Sequence, residues 1–394
     1  VKALHVVFFL PLAIIFDARI ATLTVKWDRN IYWEFEGCPM QSTTMESQRV
    51  FWPDLMRGVS IVLVILIHVS SPLLNQWEDL PPGEWMAGNV YDSLARVSVP
   101  LLFMVSGYLL LGRQEGIADF YRKRLRKVLI PLVAWSVIYL VWEDGYANYT
   151  VFNAAKAITL SILTRPASYH MWFLYELLLI YMFVPLMRVL TRPGEGAYMT
   201  YFAGIWVLFG PVLDIVQESL GFKFAFELGF LTSYIGYFAL GYLLGQVKSS
   251  CLLTAATGLV FVGALLFTVL ATYAGTLARG DFEPFYYHYL RLNIALMSVS
   301  AFLLLKALGE RLGSTGSSAL VWGSRIAQAS FGIYLIHVLV LTILRRGDLG
   351  FQISVLSGPA AWLVPLVTIF VFLISWLMVA LLQKIPVLRA IVPN

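Results

Sequence analysis

Arg57 and His68 lie eleven positions apart, in and beside a strongly apolar stretch of the sequence. In an α-helix eleven residues make about three turns and rise about 16 Å, so the two side chains share one face. An imidazole can act as a general base or a nucleophile, and a guanidinium can bind an anion. The pair is our first candidate site. The alternatives are a packing hydrogen bond for His68 and an interfacial, topology-setting position for Arg57.

Two further apolar stretches carry polar residues. Arg96 begins the motif RVSVP at the end that we place on the outer side of a membrane, and Ser106 lies deeper. A positive charge on the outer flank runs against the usual distribution, so we predict that Arg96 points into a cavity; the alternative is snorkelling to the surface. In FGIYLIHVLVL, residues 331–341, Tyr334 and His337 share a helix face, which fits a site or a packing hydrogen bond equally.

Three more candidates fall within YHMWFLYELLLIYMFVP, residues 169–185. We expect His170 and Trp172 at the outer interface, where aromatic residues are common. Glu176 lies about a turn further in, where a carboxylate needs a partner, and His170 or Arg96 could supply it.

The sequence contains none of the motifs of several common functional classes. The histidines beyond residue 50 are dispersed along the chain, without HxxxH or HExxH, so no metal site is predicted. GxSxG and Walker patterns are also missing, which argues against a serine hydrolase and an ATPase. Cys38 and Cys251 lie far apart and indicate neither a disulfide framework nor a zinc site.

The composition requires a membrane protein. Hydrophobic residues make up 59% of the 394 and charged residues 13%, and the mean hydropathy is +0.76. A soluble domain has about a quarter charged residues. About ten stretches are long enough to cross a bilayer, which predicts an all-α polytopic protein. They are Leu55–Leu74, Leu94–Leu111, Val128–Trp142, Met171–Leu190, Tyr198–Ile215, Phe230–Gly245, Leu252–Tyr273, Leu290–Leu308, Ala327–Leu344 and Ala361–Leu382.

The distribution of Lys and Arg predicts the orientation. If the first stretch begins in the cytoplasm, 16 of these residues lie inside and 8 outside, with a dense block at residues 113–127. The positive-inside rule then places both ends of the ten-helix core in the cytoplasm. The net charge of +5 is explained by these short segments, and we predict no nucleic-acid partner.

Residues 1–44 do not fit this pattern. The apolar run from Val6 to Phe16 is too short to span a bilayer and is followed by several charges. It is either a degenerate signal-like segment or an upstream extension with Met45 as the natural start, and we expect the extension. Residues 45–394 are then one transmembrane domain.

Six segments together resemble the membrane acyltransferase-3 family, bacterial enzymes that decorate surface polysaccharides. They are DLMRGVSIVLVILIHVS, SVPLLFMVSGYLL, YRKRLRKVLIP, YHMWFLYELLLIYMFVP, YIGYFALGYLLG and SFGIYLIHVLVL. The most specific element is Arg-x10-His, here Arg57 and His68. Within the family, RVSVPLLFMVSGYLLLG and YHMWF are most similar to the O-acetyltransferases of enterobacterial common antigen, which modify N-acetylglucosamine units.

The resemblance implies a donor site. Acetyl-CoA would be a substrate rather than a bound cofactor, held at the inner face by Arg57 with Arg124, Arg126 and Lys127. The family's Arg-x-x-Arg pattern is only approximated there, because Lys127 keeps the charge but lacks the bidentate fork. An extended pantetheine arm is comparable to the rise from Arg57 to His68, which would act as general base or as transient acyl carrier.

The resemblance also implies an acceptor, a glycan or lipid-linked sugar reached from the outer side of the bacterial inner membrane. Arg96, Ser106 or Tyr334 would stabilise the oxyanion, and His170 and Trp172 would shape the sugar entry. The full set of expected acceptor or transition-state contacts is Arg96, Ser106, His170, Trp172, Glu176, Tyr334 and His337.

Two other classes of function compete with acyl transfer. A proton-coupled transporter of a lipid-linked sugar or small solute could use His68, Glu176 and His337 as a proton relay. However, the sequence has no half-to-half symmetry, and its basic block at the inner face favours an anionic ligand. A structural or receptor-like protein would leave the intramembrane His and Arg unexplained.

Overall fold

Helices make up most of the described chain, and no strand is present among the described residues. The computed structural model describes residues 50–144, 150–221, 229, 233–314 and 318–393. The expected extension over residues 1–44 and its proposed end at Met45 lie outside these ranges. The α-helices are α1 Trp52–Leu74, α2 Pro82–Ala95, α3 Ser98–Leu111, α4 Ile117–Asp144, α5 Val151–Thr164, α6 Trp172–Met187, α7 Gly196–Val207, α8 Leu213–Leu220, α9 Ile235–Gly245, α10 Cys251–Arg279, α11 Leu292–Gly313, α12 Ser318–Arg346 and α13 Ala360–Leu382.

Nine helical stretches in the described part of the chain are long and apolar enough to cross a membrane. They are Trp52–Leu74, Pro82–Leu111, Ile117–Glu143, Trp172–Thr191, Gly196–Glu218, Cys251–Arg279, Phe285–Gly313, Leu320–Arg346 and Ala360–Leu382, and the apolar helix Ile235–Gly245 is shorter. Together these ten overlap the ten predicted stretches in order. The prediction of an all-α polytopic membrane protein is confirmed.

Helix boundaries differ from the prediction where the sequence is less apolar. The second stretch begins at Pro82 rather than Leu94 and consists of α2 and α3, which meet at Arg96 and Val97. Pro100 lies in the first turn of α3, where its missing N–H would have had no intrahelical partner. Helix α5 was not predicted, because it has only 14 residues and lacks the length of a span.

Helix α1 lies at the centre of the bundle. It packs against α2, α3, α11, α12 and α13, and most of its residues are buried. The functional candidates Arg57 and His68 are therefore surrounded by other helices rather than by lipid.

Helices α3 and α9 approach each other backbone to backbone. A Cβ atom at Gly107 would come within 1.9 Å of the Phe238 carbonyl oxygen, and one at Gly241 within 1.9 Å of the Met104 carbonyl oxygen. Small residues allow this close packing in membrane helices. The contact fixes α3, and with it Ser106, against the rest of the bundle.

Candidate functional site

Three histidines from different parts of the chain meet in the bundle. His68 comes from α1, His170 lies two residues before the start of α6, and His337 comes from α12. The ring centroids of His68 and His337 are 5.2 Å apart with nearly parallel planes, those of His170 and His337 are 5.2 Å apart, and those of His68 and His170 are 6.4 Å apart. We call these three residues the histidine cluster.

The interfacial position expected for His170 is wrong. Its side chain is only 2% exposed, and its ring packs against those of Tyr139 and Tyr334. The peptide segment before α6 folds inward, because Tyr334 donates a hydrogen bond to the His170 carbonyl oxygen at 2.5 Å. Tyr334 and His337 lie on one helix face as predicted, and the His337 ring nitrogen contacts the Tyr334 backbone carbonyl rather than its hydroxyl.

The hydrogen bonds of His337 fix its tautomer. Its Nδ1 lies 2.7 Å from the Tyr334 carbonyl oxygen and 3.2 Å from that of Ile333. Carbonyl oxygens only accept, so Nδ1 carries the proton and, in the neutral ring, Nε2 keeps its lone pair. Among the described residues, neither this Nε2 nor either ring nitrogen of His170 has a hydrogen-bond partner.

His68 differs from the other two histidines in access. His170 and His337 are buried, whereas His68 is partly exposed and rests against the Tyr169 ring at a centroid distance of 4.9 Å. Of the three histidines, His68 is therefore the one whose side chain is not fully enclosed. Tyr139 and Tyr169 were not candidates from the sequence, since tyrosines in apolar stretches carry no spacing signal.

A cavity of about 120 Å³ runs beside α1. Arg57 and Lys127 line it together with Ser106, Tyr181 and Tyr334. Tyr334 also donates a hydrogen bond to the backbone of His170. The cavity therefore extends from Arg57 and Lys127 to Tyr334, which packs against the histidine cluster. The predicted positions of Arg57, Ser106 and Tyr334 therefore converge on one space.

A larger groove of about 550 Å³ adjoins the start of α4. Four cations line it: Arg122, Lys123, Arg126 and Lys127. The other lining residues are Asp119, Ile130, Ala390 and Pro393. Lys127 therefore lines both the groove and the cavity. We call Arg57, Arg122, Lys123, Arg124, Arg126 and Lys127 the cationic end of the site.

Arg124 has an acidic neighbour that the sequence analysis did not identify. Its guanidinium lies 3.4 Å from Glu115, and that of Arg188 lies 3.0 Å from the same carboxylate. Partial burial raises the pKa of Glu115, but the hydrogen bond from Arg188 and the charge of Arg124 outweigh it, so the pKa lies below its ordinary value. Arg188 also donates two hydrogen bonds to the Leu110 carbonyl oxygen at the end of α3, which anchors this ion cluster.

Arg96 forms a buried ion pair with Asp92, one turn earlier on α2. Its guanidinium carbon lies 4.5 Å from the centroid of the Tyr287 ring and 5.7 Å from that of Tyr289. Arg96 therefore faces the interior of the bundle rather than the surface, but it lines neither the cavity nor the groove described above. Asp92 was missed, although its i, i+4 spacing to Arg96 was visible in the sequence.

The predicted partner of Glu176 is not found. Arg96 is paired with Asp92, and Oε2 of Glu176 is buried without a hydrogen-bond partner among the described residues. Trp172 is half-buried, with ring centroids 5.2 Å from Tyr234 and 5.9 Å from Tyr289. It therefore belongs to an aromatic group beside Arg96 rather than to an isolated interfacial belt.

The comparison with protein families covers this whole arrangement. A model described as an acyltransferase domain, Acyl_transf_3, matches residues 50–380. The chain belongs to the acyltransferase-3 family. The match includes every helix from α1 to the greater part of α13, and with them the histidine cluster and the cationic end.

One curated relative can be compared by name. Succinoglycan biosynthesis protein ExoH of Rhizobium meliloti (strain 1021) is 31% identical over 159 residues, which make up 35% of this chain and 42% of that protein. The chain thus covers less than half the length of this relative. No solved structure matches the chain.

Proposed function

We propose that this protein transfers an acetyl group from cytoplasmic acetyl-CoA to a sugar hydroxyl of a cell-surface glycan or its lipid-linked precursor. Membership of the acyltransferase-3 family supports acyl transfer. The name of the relative, a succinoglycan biosynthesis protein, supports a polysaccharide acceptor. The motifs RVSVPLLFMVSGYLLLG and YHMWF favour N-acetylglucosamine units of an enterobacterial common antigen-type polysaccharide.

The observation that carries the proposal is the cavity between Arg57 and Tyr334. It joins a cationic end, suited to phosphates, to the shell of a buried histidine cluster suited to proton transfer. An extended pantetheine arm is long and narrow, and the rise of about 16 Å from Arg57 to His68 matches it. The family assignment and this geometry together favour acyl transfer over the transporter and receptor alternatives.

The bound donor extends from the groove into the cavity. The phosphates of acetyl-CoA bind Arg122, Lys123 and Arg126 in the groove, and the pantetheine arm passes Lys127 into the cavity. Arg57 and Arg124 complete the positive field there. These cations outnumber the neighbouring carboxylates of Glu115 and Asp119, so this end carries a net positive field that attracts an anionic donor.

His68 performs the proton transfer. It accepts the proton of the sugar hydroxyl as the hydroxyl oxygen attacks the thioester carbonyl, and the C–S bond then breaks. The CoA thiolate leaves and takes a proton from the imidazolium, so the reaction is balanced without a further reactant. A transient acetyl-imidazole at His68 is the second form of the same mechanism.

The protein lies in the bacterial inner membrane with both ends of its core in the cytoplasm. The exposed Cys251 then begins α10 on the cytoplasmic side. In spheroplasts of a Cys38→Ser variant, a membrane-impermeant maleimide should label Cys251 only after the membrane is permeabilised. Labelling of intact spheroplasts would invert the orientation.

The proposed activity is tested with purified protein in nanodiscs, acetyl-CoA and a panel of acceptors. Lipid-linked N-acetylglucosamine should gain one acetyl group, detected by mass spectrometry. Acetylation of a different sugar would retain the reaction and change the acceptor. If no acceptor of the panel is acetylated by folded protein, the proposal is contradicted.

A further inference from the structure

Asp92 is a fully buried carboxylate that joins two helices beside the histidine cluster. Its side chain is 0% exposed and accepts a hydrogen bond from Nε of Arg96 at 2.7 Å, with Nη2 of the same guanidinium also in contact. On α1, the hydroxyl of Ser71 donates to its other oxygen at 2.6 Å. Asp92 therefore holds donors from both helices at once.

The bond from Ser71 is the main link to α1. Ser70 also approaches Asp92, at 3.3 Å, but its single hydroxyl proton has a closer acceptor in the Leu66 carbonyl oxygen at 2.8 Å. Ser71 follows His68 by three residues, so the two side chains lie on the same side of α1. The hydrogen bond from Ser71 thus links Asp92 to a point on α1 that is less than one helical turn from His68.

Arg96 is held on several sides. Asp92 binds one edge of the guanidinium, and the rings of Tyr287 and Tyr289 lie beside it. Asp92 connects this guanidinium to Ser71, which lies within one helical turn of His68 on α1. A cation fixed in this way needs no reorganisation when negative charge develops nearby, which is how preorganised charges stabilise a transition state.

We propose that Asp92 is a positioning residue, which holds the Arg96 guanidinium and the His68 imidazole in one arrangement for the transfer step. The inference rests on the proposed acyl transfer. Asp92 does not touch the substrate; it acts through Arg96 and Ser71. Because the donor phosphates bind at the cationic end, loss of Asp92 should lower kcat and leave the KM for acetyl-CoA unchanged.

Three variants and one matched control test this role. Asp92→Asn removes the charge, Asp92→Glu keeps it at a shifted position, and Ser71→Ala removes only the link to α1. Glu310→Gln is the control, since Lys306 and Glu310 form an ion pair of the same i, i+4 type outside the histidine cluster. Each protein is assayed for acetyl transfer across a range of acetyl-CoA concentrations.

We expect Asp92→Asn to lower kcat by about tenfold to a hundredfold, as displaced catalytic groups do. Asp92→Glu should recover part of that loss, Ser71→Ala should lose about threefold by the same principle, and Glu310→Gln should match the wild type. If Asp92→Asn does not fold, Ser71→Ala decides alone, because it leaves the ion pair intact.

The positioning role is overturned if Ser71→Ala, and Asp92→Asn where it folds, keep the wild-type kcat. It is also overturned if their kcat falls no further than that of Glu310→Gln. A raised KM for acetyl-CoA with unchanged kcat would also overturn it. If the wild type itself transfers no acetyl group, the proposed function has failed, and the two failures are thereby distinguished.

Discussion

The cationic end and the histidine cluster handle charge in opposite ways. At the cationic end, four Lys and Arg side chains line one groove with a single carboxylate, that of Asp119. Around the histidine cluster, Arg96 is matched one to one by Asp92, and the tautomer of His337 is fixed by carbonyl oxygens. One region has positive charge in excess, and the other has its charge balanced.

This difference separates binding from chemistry. Excess positive charge beside an open groove attracts and holds an anionic ligand. A buried region with balanced charge excludes water and keeps an imidazole in position for proton transfer. The comparison therefore predicts that variants at one end change donor affinity, whereas variants at the other change the rate of transfer.

The largest effect is expected from His68→Ala. Without the general base, transfer should fall by at least about a hundredfold, while the Kd for acetyl-CoA measured by calorimetry stays near the wild-type value. His288→Ala is the matched control, because that histidine is exposed and outside the cluster. Substantial remaining transfer would remove His68 from the mechanism and erase the contrast between the two ends.

Arg57→Ala and Lys127→Ala test the other side of the comparison. Each removes a cation from the cavity wall. The KM for acetyl-CoA should rise by about tenfold, with a much smaller change in kcat, because charge-assisted bonds to phosphate are lost. Arg279→Ala, at an exposed position on α10, should behave as the wild type. Lower kcat with unchanged KM would place these cations in the chemistry instead.

His337→Phe distinguishes a chemical role from packing. Phenylalanine keeps a ring against His68 but has no Nε2 lone pair and no proton on Nδ1. We expect kcat to fall by about tenfold, within the usual range for proton-transfer groups. Steady-state kinetics at saturating acetyl-CoA would measure it, with circular dichroism as a check on folding. Unchanged kcat would favour the packing alternative.

The smallest effect is expected from Glu115→Gln. Arg188 and Arg124 lower the pKa of Glu115 in the folded protein. Its ion pairs therefore stabilise the fold fully above the unfolded-state pKa near 4.5. This stabilisation is lost as the pH falls from there through the lower pKa of the folded state. The variant should melt about 1–2 °C lower at pH 7, since a single ion-pair cluster contributes only a small part of the stability of a chain of this size. The difference between the melting temperatures should shrink below pH 4.5. A constant difference across pH would contradict the ion-pair explanation.

The sequence predicted the parts of this site that depend on one helix. The rise from Arg57 to His68 follows from helical geometry, and the ten apolar stretches follow from bilayer thickness. The histidine cluster depends instead on which helices pack together, and no spacing within one helix predicts that His170 turns inward. Asp92 was missed for a different reason: the segment before Arg96 is less apolar and was not recognised as a helix, although its i, i+4 spacing was a usable signal.

The central claim is that a donor bound at the cationic end delivers its acyl group at His68. The most direct measurement is the release of free CoA from acetyl-CoA by the purified protein in nanodiscs, with and without lipid-linked N-acetylglucosamine, for wild type and His68→Ala. The account predicts acceptor-dependent release that disappears in the variant. Equal release by both proteins, or no release by folded wild type with acceptors of every class tested, would contradict it.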